Sequence, residues 1–89
     1  MDEEIKSGLV YPCDYPIYII GPNRVDFRDL VITVLSDHIE GFEPGHLSEH
    51  PSSEDRYISL SLTFLAKDQE QVDNIYRALS SDSRVLMII

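Results

Sequence analysis

Hydrophobic and polar residues alternate regularly along Arg56–Ala66, and the interpretation of the chain is built on this segment. Every second residue from Ile58 to Ala66 is apolar, and most of the residues between them carry a hydroxyl group. A period of two places the two sets on opposite faces of a β-strand. One apolar face and one mostly hydroxyl face are typical of a central strand in a sheet that helices cover on one side only.

Three further segments predict strands. Tyr15–Gly21 is apolar on both faces, which fits a second central strand, and Arg84–Ile89 is apolar on both faces after its first residue. His46–His50 is polar and flanked by Pro44 and Pro51. Charges and prolines suit an edge strand, because they discourage pairing with other chains.

Apolar residues spaced three and four apart predict two helices, over Arg24–Glu40 and Gln69–Ser80. Asn23 is the predicted N-cap of the first helix, and Gly41 is expected to end it in a left-handed conformation. Asp68 is predicted to cap the second helix, because a glutamine follows it three residues later.

The resulting order is β-α-β-β-α-β, which right-handed crossovers fold into a four-stranded antiparallel sheet with both helices on one face. The predicted fold class is therefore α+β with the ferredoxin-like arrangement, and the first and third strands are central. The domain is expected to span residues 15–89. Residues 1–14 are expected to form an N-terminal tail whose Leu9–Tyr11 segment packs onto the domain. The sheet's predicted share of the core is Tyr15, Ile17, Ile19, Leu60, Leu62, Phe64, Val85 and Met87.

Charge and composition narrow the range of partners. The 89 residues include 16 acids and 7 bases, for a net charge of −9. This balance repels phosphate backbones and anionic membrane surfaces, so neither nucleic acid nor membrane is expected as a partner. No apolar run is long enough for a transmembrane helix, and the N-terminus is acidic where a signal peptide is basic. The single Cys13 cannot form an internal disulfide and lies beside Asp14, which does not favour a reactive thiol. A reducing cytoplasm is the expected location.

Several short motifs together resemble those of the YbeD-like family of small bacterial proteins. The resemblance implies a fold like the ACT regulatory domain and an association with lipoate metabolism by name and gene neighbourhood. It implies no catalytic residues. The residues that carry it are Tyr11-Pro12, Gly21, Pro51-Ser52-Ser53, Tyr57, Ser59, Glu70-Gln71-Val72, Ile75-Tyr76, Leu79, Val85 and Met87.

The histidines do not predict a metal site. His46 and His50 lie near Glu43 and Glu49, but two residues four positions apart on a strand are separated by about 13 Å, which is too far to hold one ion. A solvated loop is the favoured interpretation. His38 falls on the apolar stripe near the end of the first helix, where a partly buried structural role is expected. Neither a metal nor another cofactor is predicted.

The Gly21-Pro22-Asn23 turn has two interpretations. Backbone N–H groups at a helix N-terminus can bind an anion, and the corresponding loop of ACT-like domains contributes to amino-acid binding. Asp26 and Asp29 bring negative charge to the first turn of the helix, which favours a capped turn without a ligand.

The sheet face away from the helices is the best functional candidate. Tyr18, Ile20, Leu86 and Ile88 are predicted to form one apolar patch there, and a monomer rarely leaves such a patch uncovered. Either the Leu9–Tyr11 segment covers it, or it is an interface. RNA-recognition domains share this topology, but their glycine and paired sheet aromatics are missing here. The predicted face contains Tyr18, Ile20, Tyr57, Ser59, Ser61, Thr63, Leu65, Leu86 and Ile88.

These observations predict a non-enzymatic regulatory or protein-interaction domain. It would bind a protein partner, or itself as a homodimer, through the open sheet face or the edge of the fourth strand. The alternative is an ACT-like sensor of an amino acid or a lipoate-related compound at the Gly21-Pro22-Asn23 loop. An enzyme is disfavoured because the sequence offers no nucleophile–base pair and no metal-ligand set.

Overall fold

The computed structural model describes residues 10–89 of the chain. It contains four strands, two helices and one short 3-10 helix, in the predicted order. The elements are β1 (Cys13–Pro22), α1 (Val25–His38), the 3-10 helix Pro44–His46, β2 (Ser48–Pro51), β3 (Tyr57–Ala66), α2 (Gln69–Ser80) and β4 (Met87–Ile88).

The strands form one antiparallel sheet in the order β2-β3-β1-β4. Its centre is the pairing of β1 with β3, which continues from Cys13 opposite Ala66 to Pro22 opposite Tyr57. The predicted α+β, ferredoxin-like fold is confirmed, including the central positions of these two strands.

The core lies between one face of the sheet and both helices. The alternating residues Ile17 and Ile19 of β1 and Leu60 of β3 are almost completely buried. They belong to a single cluster with side chains of both helices, so both helices cover the same face. The helical members of this cluster are Phe27, Val31, Val34, Leu35, Val72, Ile75 and Leu79.

The sheet begins earlier than the sequence predicts. Cys13 and Asp14 belong to β1 and pair with β3, although they were expected in the tail. Tyr11 packs against the core and donates its hydroxyl hydrogen to Gln69 Oε1 at 2.8 Å, whereas Val10 is 80% exposed. Leu9 lies outside the described residues. Tyr11 therefore binds at the start of α2 and does not lie on the open sheet face.

The cap predicted for α2 is present, and the cap predicted for α1 is not. The Asp68 carboxylate accepts a hydrogen bond from Gln71 N at 2.8 Å, as the sequence predicts. In α1 the N-cap residue is Arg24, which makes no capping bond from its side chain. The predicted cap, Asn23, instead donates through its N–H to Arg56 O at 2.9 Å and through Nδ2 to Asp55 O at 3.2 Å. Asn23 thus links the β1–α1 loop to the β2–β3 turn.

β2 is displaced from its predicted position. His46 ends the 3-10 helix Pro44–His46, and β2 begins at Ser48. Pro44 suits the first position of a helical turn, where its missing N–H has no partner to lose, and this turn takes the place of the predicted strand start. Gly41 has φ +80°, the left-handed conformation predicted for it.

β4 is shorter than predicted, and its faces are reversed. Ile88 lies opposite Ile19 and packs against the core, whereas Met87 lies opposite Ile20 and is exposed. The predicted core position of Met87 and the predicted open-face position of Ile88 are therefore wrong. The Leu86 N–H also donates to Ile20 O at 2.8 Å, so two consecutive residues oppose Ile20. Such an extra residue, as in a β-bulge, shifts the alternation.

Arg84 holds the start of this last segment in place. It binds Asp82 at 2.8 Å and reaches Asp26 in the first turn of α1 at 3.3 Å. The hydrogen bonds from Arg84 lower the pKa of Asp82 to about 2. Partial desolvation raises the pKa of Asp26, but hydrogen bonds and charge from Arg24 and Arg84 outweigh it, so this pKa is also lowered.

Replacing Gly21 by alanine is expected to destabilise the fold. An alanine Cβ at this buried position would lie 2.6 Å from Phe27 Cδ1 and closer still to two other atoms of the ring. Phe27 is fully buried and has no room to move away. We expect Gly21→Ala to lower the free energy of unfolding by about 1–3 kcal/mol, measured by urea denaturation. Gly45→Ala is the control, because its Cβ meets no atom within 4 Å. An equal loss in both variants would contradict the prediction.

Removing Arg84 is expected to reduce the loss of stability in acid. Because the folded-state pKa of Asp82 lies below its usual value of 3.8, its contribution to stability is present above pH 3.8 and disappears as the pH falls towards about 2. We expect the melting temperature of Arg84→Met to fall less steeply than that of the native chain over this interval. Arg56→Met is the control, since Arg56 and Glu54 form an exposed ion pair at 3.7 Å. If the melting temperatures of the native chain and of Arg84→Met fall equally as the pH is lowered, the assignment is contradicted.

Candidate functional site

The candidate site is the open sheet face, which comprises the outward-facing residues of the four strands and Ile89. The sheet register decides its composition, because directly opposite residues in antiparallel strands point to the same face. One row across the sheet contains His50, Ser59, Ile20 and Met87, and the neighbouring row contains Ser48, Ser61 and Tyr18. Ile89 extends the second row, since it exchanges two backbone hydrogen bonds with Tyr18, at 2.9 and 3.2 Å.

These rows divide the open sheet face into two halves. The β1–β4 half is apolar and consists of Ile20, Tyr18, Met87 and Ile89. The β2–β3 half carries hydroxyl and imidazole groups, on Ser48, His50, Ser59 and Ser61. Tyr18 is 46%, Met87 55% and Ile89 64% exposed, so the apolar half meets solvent directly.

Acidic and basic side chains are nearly absent from the open sheet face. Among its described residues, Asp14 is the one aspartate, glutamate, lysine or arginine, and it lies at the far end of β1 opposite Leu65. The chain as a whole has a net charge of −9. Within residues 10–89, the other acidic residues lie on the two helices, in the loops and at Glu49 of β2.

The structure brings most of the predicted face residues together. Tyr18, Ile20, Tyr57, Ser59, Ser61, Thr63 and Leu65 share one side of the β1–β3 pair. Leu86 is exposed and donates to Ile20, but it precedes β4. Ile88 turns towards the core. The sequence interpretation missed Met87, Ile89, Ser48 and His50, because no alternation in RVLMII sets the phase of β4 and because the register of β2 depends on the length of the turn.

The polar half contains a shallow depression but no catalytic arrangement. The depression measures about 150 Å³ and is lined by Pro16, Tyr18, His46, Ser48 and Ser61, together with parts of the neighbouring β3 residues. His50 Nε2 lies 3.5 Å from Ser61 Oγ, which is a weak contact. Within residues 10–89, no group of three or more His, Cys, Asp or Glu side chains is placed to hold a metal ion.

The second candidate site, Gly21-Pro22-Asn23, offers few free donors. The Asn23 N–H is bonded to Arg56 O at 2.9 Å, and the Arg24 N–H is bonded to Pro22 O at 2.8 Å. Gly21 is buried against Phe27. Two of the amides that would hold an anion are therefore already used to close the turn.

His38 and Cys13 lie within regular secondary structure, His38 at the end of α1 and Cys13 at the start of β1. His38 Nδ1 lies 2.8 Å from Val34 O, one helical turn back, and the contact is partly buried. Cys13 is a free, half-buried residue of β1 opposite Ala66.

No helix within residues 10–89 has the length and apolar character needed to cross a membrane.

Comparison with known proteins identifies the family. A family model described as "Protein of unknown function (DUF493)" matches residues 6–89. A UPF0250 protein from Janthinobacterium sp. (strain Marseille) is 38% identical over 84 residues, which cover 94% of this chain and 92% of the relative. A UPF0250 protein from Neisseria gonorrhoeae (strain ATCC 700825 / FA 1090) is 30% identical over 89 residues, covering 99% and 98% of the two chains.

A solved structure supports the same fold. The solution structure of protein HP0495 from H. pylori superimposes with a TM-score of 0.63 and covers 91% of this chain and 85% of that protein. At 15% sequence identity, this likeness concerns the fold alone. The resemblance to the YbeD-like family is confirmed by the family match and the UPF0250 relatives, and the chain belongs to the DUF493 family of small bacterial proteins of unknown function.

Proposed function

We propose that the chain is a non-enzymatic interaction domain that binds a second copy of itself through the open sheet face. The observation that carries the proposal is the exposed apolar half of that face, with Tyr18, Met87 and Ile89 about half exposed or more. Ile20, beside them in the register, is partly buried. Contiguous apolar surface of this kind is typical of interaction sites.

The charge distribution favours a second copy as the occupant. Two molecules that each carry a net charge of −9 repel one another over most of their surface. The open sheet face is where that repulsion is smallest, because Asp14 is its one acidic residue. Depletion of charged residues is also the compositional signal of the centre of a protein interface.

The size of the face sets the expected strength of the dimer. The central strands have ten residues, so the face is about 33 Å long, and four strands make it about 15 Å wide. The projected area is at most about 500 Å², because β2 and β4 are shorter than the central strands, and this is below the roughly 800 Å² that each partner buries in a standard interface. A reversible dimer that forms at micromolar or higher concentration is therefore expected. The edge of β4 contributes little, since β4 has two residues.

The absence of an enzymatic role is part of the proposal. The names of the relatives describe no reaction. Where the face brings an imidazole near a hydroxyl, His50 Nε2 lies 3.5 Å from Ser61 Oγ, which is longer than the hydrogen bond of a positioned general base. The Gly21-Pro22-Asn23 loop is not proposed as a ligand site, because its Asn23 and Arg24 amides are bonded within the chain.

Placing a lysine in the apolar half is expected to weaken the dimer. In a two-fold symmetric interface each substitution occurs twice, so Ile20→Lys and Met87→Lys should each raise the dissociation constant about tenfold or more, which corresponds to about 1.4 kcal/mol. Sedimentation equilibrium across a concentration series measures the constant. Val25→Lys is the matched control, because Val25 is 68% exposed on α1, away from the open sheet face.

Salt provides an independent check. Because screening reduces the repulsion between two acidic chains, dimerisation should strengthen between about 0.05 M and about 0.5 M salt. A native chain that stays monomeric at millimolar concentration in both salts would exclude self-association. Equal weakening by Val25→Lys would show that the open sheet face is not the contact surface.

A further inference from the structure

The outer edge of β3 is only half covered. β2 pairs with β3 from Pro51 opposite Ile58 to Ser48 opposite Ser61, whereas β3 continues to Ala66. The chain before Ser48 turns away into the 3-10 helix Pro44–His46. Leu62–Ala66 is therefore a sheet edge without a neighbouring strand on that side, within the described residues.

The hydrogen-bonding pattern shows which backbone groups this edge presents. Tyr18 exchanges both of its backbone hydrogen bonds with Ile89, so its N–H and C=O point towards β4 and away from β3. In an antiparallel ladder this direction alternates, so Ser61, opposite Tyr18, points away from β1. Thr63 and Leu65 point the same way, and among residues 10–89 neither has a backbone partner on that side. Two N–H and two C=O groups are thus free to pair with an added strand.

A groove with an apolar floor runs beside these groups. It encloses about 390 Å³ between β3 and the segment that follows α1, and its floor includes Ile39, Leu62 and Phe64. These core side chains remain 9%, 9% and 6% exposed, whereas Leu60, where β2 covers the edge, is 0% exposed. Phe42 forms part of the groove wall and is partly buried. These three core residues therefore keep a small exposure that Leu60 does not have.

The outer edge of β2 is protected against the addition of another strand, whereas the edge at Leu62–Ala66 is not. β2 carries Glu49, His50 and Pro51, and charges and proline discourage strand addition. Leu62–Ala66 contains no charged residue and no proline. Its first charged neighbour is Lys67.

Negative charge gathers at the end of the groove. A second cavity of about 310 Å³ shares Ile39, Glu40 and Leu65 with the first and extends it to Lys67. Beyond Lys67, a third cavity is lined by Asp37, Asp68 and Glu70, with polar neighbours. Across these two cavities the lining includes four carboxylates, of Asp37, Glu40, Asp68 and Glu70, and one lysine, Lys67, a balance that complements a basic side chain.

We propose that Thr63–Leu65 accepts an extended segment of another protein as an added strand, with alternating apolar residues over the groove and a lysine or arginine near Glu40 and Asp68. The main-chain bonds would supply affinity, and the groove and the carboxylates would supply specificity. The added strand would use the backbone groups of Thr63 and Leu65 at the sheet edge, whereas the side chains of the same two residues belong to the open sheet face of the proposed dimer.

The test uses the full chain and a displayed library of random nonapeptides. We expect selection on the native chain to enrich peptides that alternate apolar and polar residues and carry lysine or arginine. Leu65→Pro removes the outward N–H without removing a bond to β1, and it should weaken an enriched synthetic peptide about tenfold or more, because a peptide carbonyl loses its partner. Leu65→Ala keeps the N–H and should bind within about threefold of the native chain, as expected for a contact worth well under 1.4 kcal/mol.

Two further measurements keep the outcome decisive if Leu65→Pro fails to fold. Amide chemical shifts of the native chain should change on peptide addition at Thr63, Leu65 and Phe42, and not at Tyr18 or Ile20. Glu40→Lys should weaken the basic peptide. Shifts confined to Tyr18 and Ile20, or no enrichment on the native chain, would overturn the proposal without affecting the dimer. Loss of self-association in a folded Leu65→Pro, but not in Leu65→Ala, would instead assign this edge to the contact between copies.

Discussion

The antiparallel pairing of β1 with β3 is the constraint on which the rest of the structure depends. Its register places Ile17 opposite Leu62 and Ile19 opposite Leu60, which joins the apolar faces of both strands into the floor of the core. A slip of one residue would turn Ser61 inward and Leu60 outward, since the side chains alternate with a period of two. Both helices pack on this floor, and the open sheet face is its reverse side.

The sequence predicted the central part of the fold because the signals there are redundant. The apolar positions of β3 alternate from Ile58 to Ala66, and the α2 cap pairs Asp68 with Gln71. The apolar stripes of both helices agree with the turns around them, although the N-cap of α1 is Arg24 and not the predicted Asn23. The ends are different. RVLMII is apolar at every position after Arg84, so either phase buries hydrophobic side chains, and the Leu86 N–H bond to Ile20 O decides between them. This contact joins residues that are far apart in the sequence, so a local pattern of apolar residues does not predict it.

The same reasoning separates the predictable part of the functional surface from the rest. Tyr18, Ile20, Ser59 and Ser61 follow from the alternation of the two central strands, because their phase is fixed by the core. The free edge of β3 does not. The length of this free edge depends on where β2 begins. β2 begins at Ser48, and not at the predicted His46, because Pro44–His46 forms a 3-10 turn. Glu43 N–H donates to His46 Nδ1 at 3.2 Å, a contact that closes this turn and that strand patterning does not reveal.

Both proposed surfaces exist because two helices and four strands of unequal length leave one face of the sheet uncovered and part of one edge unpaired. Two helices cover one face, so the other must meet solvent or protein. Because Asp14 is the one carboxylate among the described residues of that face, closing it against a partner desolvates little charge. The backbone groups of β3 are paired on its outer side only along the part that β2 reaches. β2 has four residues against the ten of β3, and this difference in length leaves backbone groups of β3 and the groove beside them uncovered. Hydrogen bonds at an edge lie in the plane of the sheet and contacts on a face lie perpendicular to it, so the two proposed surfaces use different atoms of Thr63 and Leu65: the backbone groups at the edge and the side chains on the face.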